Sequence, residues 1–169
     1  MAASTQISVD EYLKTTYRPD CDYVDGEVRE RNLGEYDHSR PQMRLILFVG
    51  TREKEWGIRV VPEQRVQVNQ NRFRIPDVCV VLADSPVEAI FRCPPFICVE
   101  ILSKDDTFKS LTERLDDYLA MGVPNVWVID PHTRRGYVYN ASGLLETKDG
   151  VLRAANSEIA VPLASIFEA

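Results

Sequence analysis

Histidine, paired cysteine and long apolar stretches are what this chain has least of. His38 and His132 are its two histidines. The four cysteines, Cys21, Cys79, Cys93 and Cys98, show no C-x2-C spacing of a zinc site. Two of them fall inside apolar strand-like runs, so they read as reduced core thiols of a cytoplasmic protein. No apolar run approaches the ~18 residues that a membrane span needs. Met1-Ala-Ala-Ser-Thr-Gln-Ile7 has no basic segment ahead of an apolar one, so no secretory leader is expected. Basic charge is also in deficit: 20 Lys and Arg face 26 Asp and Glu, a net charge of −6. A protein that grips duplex DNA with a broad face carries the opposite excess, so any nucleic-acid contact must come from a local patch. A site built from carboxylates would itself supply part of the acidity.

What is present is an ordinary globular composition, 44% hydrophobic and 27% charged. Residues 1–169 read as a single domain, long enough to bury roughly 70% of the surface of the unfolded chain. There are no internal repeats, low-complexity segments or linkers.

The order of elements follows from periodicity and punctuation. Ser8-Val-Asp-Glu11 matches a capping box and starts a short helix to about Thr15. Asp22–Arg29 is a hairpin with its turn at Asp25-Gly26, and Glu27 opens the second strand. Apolar spacing predicts one long helix between His38 and Trp56, beginning near Ser39 or Arg40 because Pro41 belongs in a first turn, and closed by Gly57. Arg59–Val68 and Phe73–Leu82 read as two antiparallel strands joined at Asn69-Gln-Asn71. A Pro-containing connection over 83–95, with a helical turn around Val87–Phe91, leads to the strand Phe96–Leu102. The helix Phe108–Met121 stops at Gly122, and the strand Asn125–Asp130 is placed parallel to Phe96–Leu102 by a right-handed crossover. Arg134–Asn140, Gly143–Lys148 and Val151–Ala155 form a peripheral C-terminal β-meander, and Val161–Phe167 docks as a last amphipathic turn. This is an α/β domain with a mixed central β-sheet flanked by helices.

Two short strand-like runs each carry one acid in an apolar setting: Asp77 in Ile75–Leu82 and Glu100 in Phe96–Ser103. An unpaired buried carboxylate costs several kcal/mol, so each must have a partner. One reading gives Asp77 a turn to cap and Glu100 a buried Arg. The other places both in one cleft, where two carboxylates suit Mg²⁺, a hard ion that retains several waters. Such an ion polarises a phosphodiester and generates hydroxide near neutral pH. Among lesser candidates, Glu63 is one whose side chain could face that cleft. His132 and Asp130 read as turn formers, and Trp127 as core packing.

The ordered set Tyr23-Val-Asp-Gly-Glu27, His38, Ile75-Pro-Asp77, Val99-Glu-Ile-Leu-Ser103 and Tyr118–Asp130 resembles the Uma2 (DUF820-like) family of restriction-endonuclease-like proteins. That family looks like part of the PD-(D/E)xK nuclease superfamily. The resemblance covers roughly residues 8–140 and implies a restriction-endonuclease-like core. It implies Asp77 and Glu100 as metal-binding acids for Mg²⁺ or Mn²⁺, with Glu27 and His38 at the rim. The superfamily lysine would stand two residues after the second acid, but that residue is Leu102. In similar proteins the lysine moves to the following helix, one turn before the tyrosine, where this chain has Arg114. Arg keeps the charge but cannot lose a proton, and Lys104 and Lys109 stand nearby as substitutes.

The implied activity is a metal-dependent endonuclease that hydrolyses DNA phosphodiester bonds. A homodimer is expected, because cutting both strands takes two sites. The Arg at the lysine position and the acidic balance favour an alternative, a catalytically weakened or inactive nuclease-fold binding or assembly module. A metal-dependent hydrolase of small phosphoesters is a third reading.

Overall fold

The computed structural model describes residues 6–32 and 34–167. Helix α1 (Val9–Lys14) is capped by Ser8, whose Oγ accepts from Glu11 N at 3.1 Å. Strands β1 (Cys21–Val24) and β2 (Glu27–Glu30) form the expected hairpin, with Asp25 and Gly26 at φ 50° and 99° in its turn.

The helix expected between His38 and Trp56 is two helices, α2 (Tyr36–Gly50) and α3 (Glu53–Trp56). It begins earlier than predicted, so Pro41 lies in the second turn and forfeits one helical hydrogen bond there. The break after Gly50 has a local cause. Thr51 Oγ1 and Arg52 Nη1 both donate to Phe48 O, at 3.1 and 2.8 Å, closing the helix end with side chains. Gly57 follows α3 at φ 63°, the left-handed geometry that its missing Cβ permits.

The predicted strand pair over 59–82 is antiparallel as expected, but both strands break and serve two sheets. Strands β3 (Ile58–Pro62) and β6 (Val78–Leu82) pair in one sheet; β4 (Val66–Asn69) and β5 (Arg72–Arg74) pair in another. Pro76 has no N–H to give a ladder, and Glu63, whose N–H donates to Asp77 O at 3.2 Å, adopts φ 47°, so the pair bends there. The bend at Asp77 is therefore the joint between the sheets. The helical turn expected around Val87–Phe91 is absent among the described residues; Phe91 instead makes an isolated parallel bridge to Val66.

Strand β7 (Ile97–Ile101), helix α4 (Phe108–Met121) and strand β8 (Asn125–Asp130) form the anticipated crossover, with β7 and β8 parallel. Strands β9 (Arg135–Asn140) and β10 (Gly143–Glu146) extend this sheet, whereas β11 (Val151–Arg153) pairs with β12 (Ala160–Pro162) ahead of α5 (Ala164–Phe167). The meander thus stops after its second strand. The larger sheet runs β10-β9-β8-β7-β6-β3 and the smaller β2-β1-β5-β4. Among the described residues no helix is long and apolar enough to cross a membrane.

Strand alternation sorts the core. Val78, Val80, Ile97, Val99, Trp127 and Ile129 pack with Leu45 and Val49 of α2. On the other face Cys79, Cys98, Val126 and Val128 pack with Leu111, Leu115 and Tyr118 of α4. Glu100 has the parity of Cys98, so it points toward α4. A third cluster, Tyr12, Tyr23 and Phe73, seats α1 on the smaller sheet.

Candidate metal and phosphodiester site

Strands β6 and β7 pair antiparallel with Val78 opposite Val99. Continued by one residue, back from β6 and on along β7, that register puts Asp77 opposite Glu100. Both acids are 3% exposed. They line one cleft of about 320 Å³, together with Arg31, His38, Asp106 and Arg114. The two acids picked out as misplaced in apolar strands are therefore brought together at the joint between the sheets.

Asp77 is saturated with donors. Its Oδ1 accepts from Arg31 Nη2 at 2.7 Å, and its Oδ2 from Ile101 N at 2.7 Å and His38 Nε2 at 3.2 Å. Gln42 Nε2 holds its backbone carbonyl at 2.9 Å. Burial pushes this carboxyl's pKa upward, but the His38 hydrogen bond and the Arg31 charge outweigh it and hold the group below its ordinary value. His38 is the reciprocal case: burial opposes its proton, while the bond to Asp77 and its charge raise its pKa. Its Nδ1 is buried with no partner among the described residues.

Glu100 is held from α4. Tyr118 Oη donates to Oε1 at 2.5 Å and Arg114 Nε to Oε2 at 3.1 Å. Arg114 and Tyr118 are four apart, one helical turn, which is why they reach the same carboxylate. Arg114 Nη2 also binds Asp106 Oδ1 at 2.9 Å. Burial is the main influence on Glu100; Arg114 counters it and Asp77 adds to it, leaving the pKa raised to about 7.

The remaining predicted residues separate clearly. Glu27 heads β2, paired with Arg29 at 3.3 Å, and is not among the described residues that line the cleft. Lys104 is exposed and paired with Glu35, and Lys109 is exposed. Neither lines the cleft; Arg114 does. Glu63 is exposed beside Pro62 and Met43 on a separate groove. Asp130 Oδ1 accepts from His132 N and Thr133 N, the turn role expected of that segment, and Trp127 is core.

Sequence reasoning passed over Arg31. It lies just beyond a polar strand, where a cation reads as solvated surface. It also passed over a buried ion network beside the cleft. Arg74, 2% exposed, donates to Asp117 Oδ2 at 2.7 Å and Asp22 Oδ2 at 3.0 Å, tying the smaller sheet to α4.

Two buried carboxylates facing across one polar cleft suit a hard divalent ion in kind and number. Among the described residues no third carboxylate, histidine or cysteine completes a denser ligand group. The donor set therefore fits an ion that keeps most of its waters.

The fold is a mixed-sheet α/β core with two buried acids brought together at the joint between its sheets. The family described as "Uma2: Putative restriction endonuclease" matches residues 9–162, and the chain belongs to it. Among solved structures, the chain is similar to a "putative nuclease belonging to DUF820" from Anabaena variabilis ATCC 29413. That match has a TM-score of 0.80 and 22% identity over 95% of this chain and 97% of the other. It establishes the common fold. A chain of the DrdV–DNA complex also matches, at a TM-score of 0.37 and 15% identity over 77% of this chain and 12% of that one, too low to carry an argument. None of the curated proteins matches.

Proposed function

We propose that this protein is a metal-dependent endonuclease that hydrolyses DNA phosphodiester bonds in the cleft between Asp77 and Glu100. The observation that carries this reading is the register of β6 and β7, which sets two buried acids opposite one another. Family membership supports the restriction-endonuclease-like class; DNA as substrate extends that class to this chain.

In this reading Asp77 and Glu100 would hold Mg²⁺ or Mn²⁺, which when bound supplies a Lewis acid and a water of lowered pKa. The protein's own contribution is placement and charge. Arg114, fixed at one nitrogen by Glu100 and at another by Asp106, presents a permanent cation to the charge that develops on a phosphoryl oxygen. It cannot act as a base, because a guanidinium keeps its proton. Tyr118 orients Glu100 through its hydroxyl, and His38 orients Asp77 through Nε2. Glu27 sits outside the cleft and serves at most at its rim. We place the protein in the cytoplasm, in keeping with its unpaired thiols, and assign it a homodimeric form because double-strand cleavage takes two sites.

A second reading, a binding or assembly module of the same fold, is favoured by one observation: both acids already carry a guanidinium partner. Plasmid nicking separates the two. With millimolar Mg²⁺ or Mn²⁺ the wild type should nick and D77N should not, at matched thermal stability. Asn is preferred to Ala, since it keeps the side chain's shape and an oxygen that can accept from Arg31. Equal nicking by D77N, or none by the wild type in either metal, rejects the nuclease.

A further inference from the structure

Four arginines line the cleft, and they are not mounted alike: Arg29 pairs with both Glu27 and Glu113. Arg74 is locked by Asp22 and Asp117. Arg114 is locked by Glu100 and Asp106. Arg31 makes one ion pair among the described residues, to Asp77 Oδ1 at 2.7 Å, with its side chain 19% exposed. It follows directly on Glu30, the last residue of β2, which is the edge strand of the smaller sheet. The neighbouring ties to the β7–α4 loop are polar and exposed: Asn32 Nδ2 donates to Ser103 Oγ at 2.5 Å, and Glu35 pairs with Lys104. Such exposed contacts hold weakly.

Charge then sets a conflict. Asp77 and Glu100 are each already neutralised by a guanidinium. A divalent ion on Asp77 would meet the Arg31 guanidinium already held by the same carboxylate, cation against cation at close range in a partly buried cleft where repulsion is poorly screened. Of the two guanidiniums at the acids, Arg31 is the freer to leave. Arg114 has a second carboxylate holding it and Arg31 does not, while Asp77 keeps its bonds from His38 and Ile101 N if Arg31 departs.

We propose that Arg31 is an internal counter-cation that competes with a divalent metal ion for Asp77, so that metal binds only as Arg31 swings out of the cleft. This rests on the metal-site reading above. It adds that the chain carries its own metal antagonist, mounted on the smaller sheet, against acids mounted on the larger one. The ion pair keeps Asp77 ionised and compensated in the metal-free protein, and it lowers the apparent affinity for metal by the cost of releasing it.

The test is calorimetric titration of Mn²⁺ into the full chain, without nucleic acid, for wild type, R31Q, R31K, D77N and R31Q/D77N. R31Q should bind at least about tenfold more tightly than wild type. R31K, which keeps the charge on a different head group, should fall between them. D77N should abolish binding in both backgrounds. If R31Q binds no tighter than wild type while D77N still abolishes binding, Arg31 is no competitor and the metal site stands. If Mn²⁺ binding is missing from wild type and R31Q, or survives D77N, the metal-site reading fails and this inference with it. Should R31Q not fold, R31K decides alone: affinity at or below wild type overturns the proposal.

Discussion

The Tyr118 hydroxyl donates to Glu100 Oε1 at 2.5 Å, and both groups are buried in the same wall of the cleft. Hydrogen bonds to a charged group contribute about 1.5–3 kcal/mol. Y118F should therefore lower stability by about 2 kcal/mol near neutral pH, read by urea unfolding. Because the bond favours the charged carboxylate, the loss should shrink at pH 5, where Glu100 is protonated.

Glu100 also predicts how stability depends on pH. Its pKa in the metal-free fold is about 7, above its ordinary value of 4.5. A carboxyl raised on folding contributes stability that is complete below its unfolded pKa and is lost as pH rises through the folded one. The metal-free protein should therefore lose stability through this group as pH rises from about 4.5 to about 7. E100Q, which has no proton to lose, should flatten that part of the profile in melts at successive pH values.

Arg74 is the residue whose loss should cost the fold most at a polar position. Removing it takes the guanidinium from both Asp22 and Asp117 in a buried site, leaving Asp117 with Arg72 and Asp22 with the Ile75 N–H. Breaking a buried pair typically costs about 3–5 kcal/mol. R74M should lose that much in chemical denaturation, and a loss under about 1 kcal/mol would mean that the network is dispensable.

Lys104 and Arg114 should separate cleanly in function. Lys104 is solvent-exposed and outside the cleft, whereas Arg114 touches Glu100. K104M should leave both the melt and metal-dependent nicking unchanged. R114M should reduce nicking by about two orders of magnitude or more, in line with removing one transition-state donor. Full nicking by R114M would remove Arg114 from the mechanism.

The parts legible in the sequence are those dictated by local periodicity and punctuation. Leu111, Leu115 and Tyr118 at helical spacing, stopped by Gly122, located α4 to the residue. The acids Asp77 and Glu100 stood out because apolar strands do not tolerate lone charges, and the chain does bring them together. Where strands ended was harder. Pro76 forbids a ladder bond, but periodicity alone does not reveal that the chain resumes in a second sheet. Arg31 was invisible for a different reason. Its partner lies 46 residues away, and its own neighbours Glu30 and Asn32 are as polar as any surface turn. Asp22, Arg74 and Asp117 share that problem, since each reads singly as a solvated charge.

The connection over 83–95 has a practical use. It joins β6 to β7 at the ends of those strands opposite the two acids. Cys93 within it is exposed, while Cys21, Cys79 and Cys98 are buried. A thiol-reactive dye or spin label offered to the folded protein should therefore attach at one position without engineering, leaving the cleft chemically untouched. The native chain comes with a reporter handle on the side away from its chemistry.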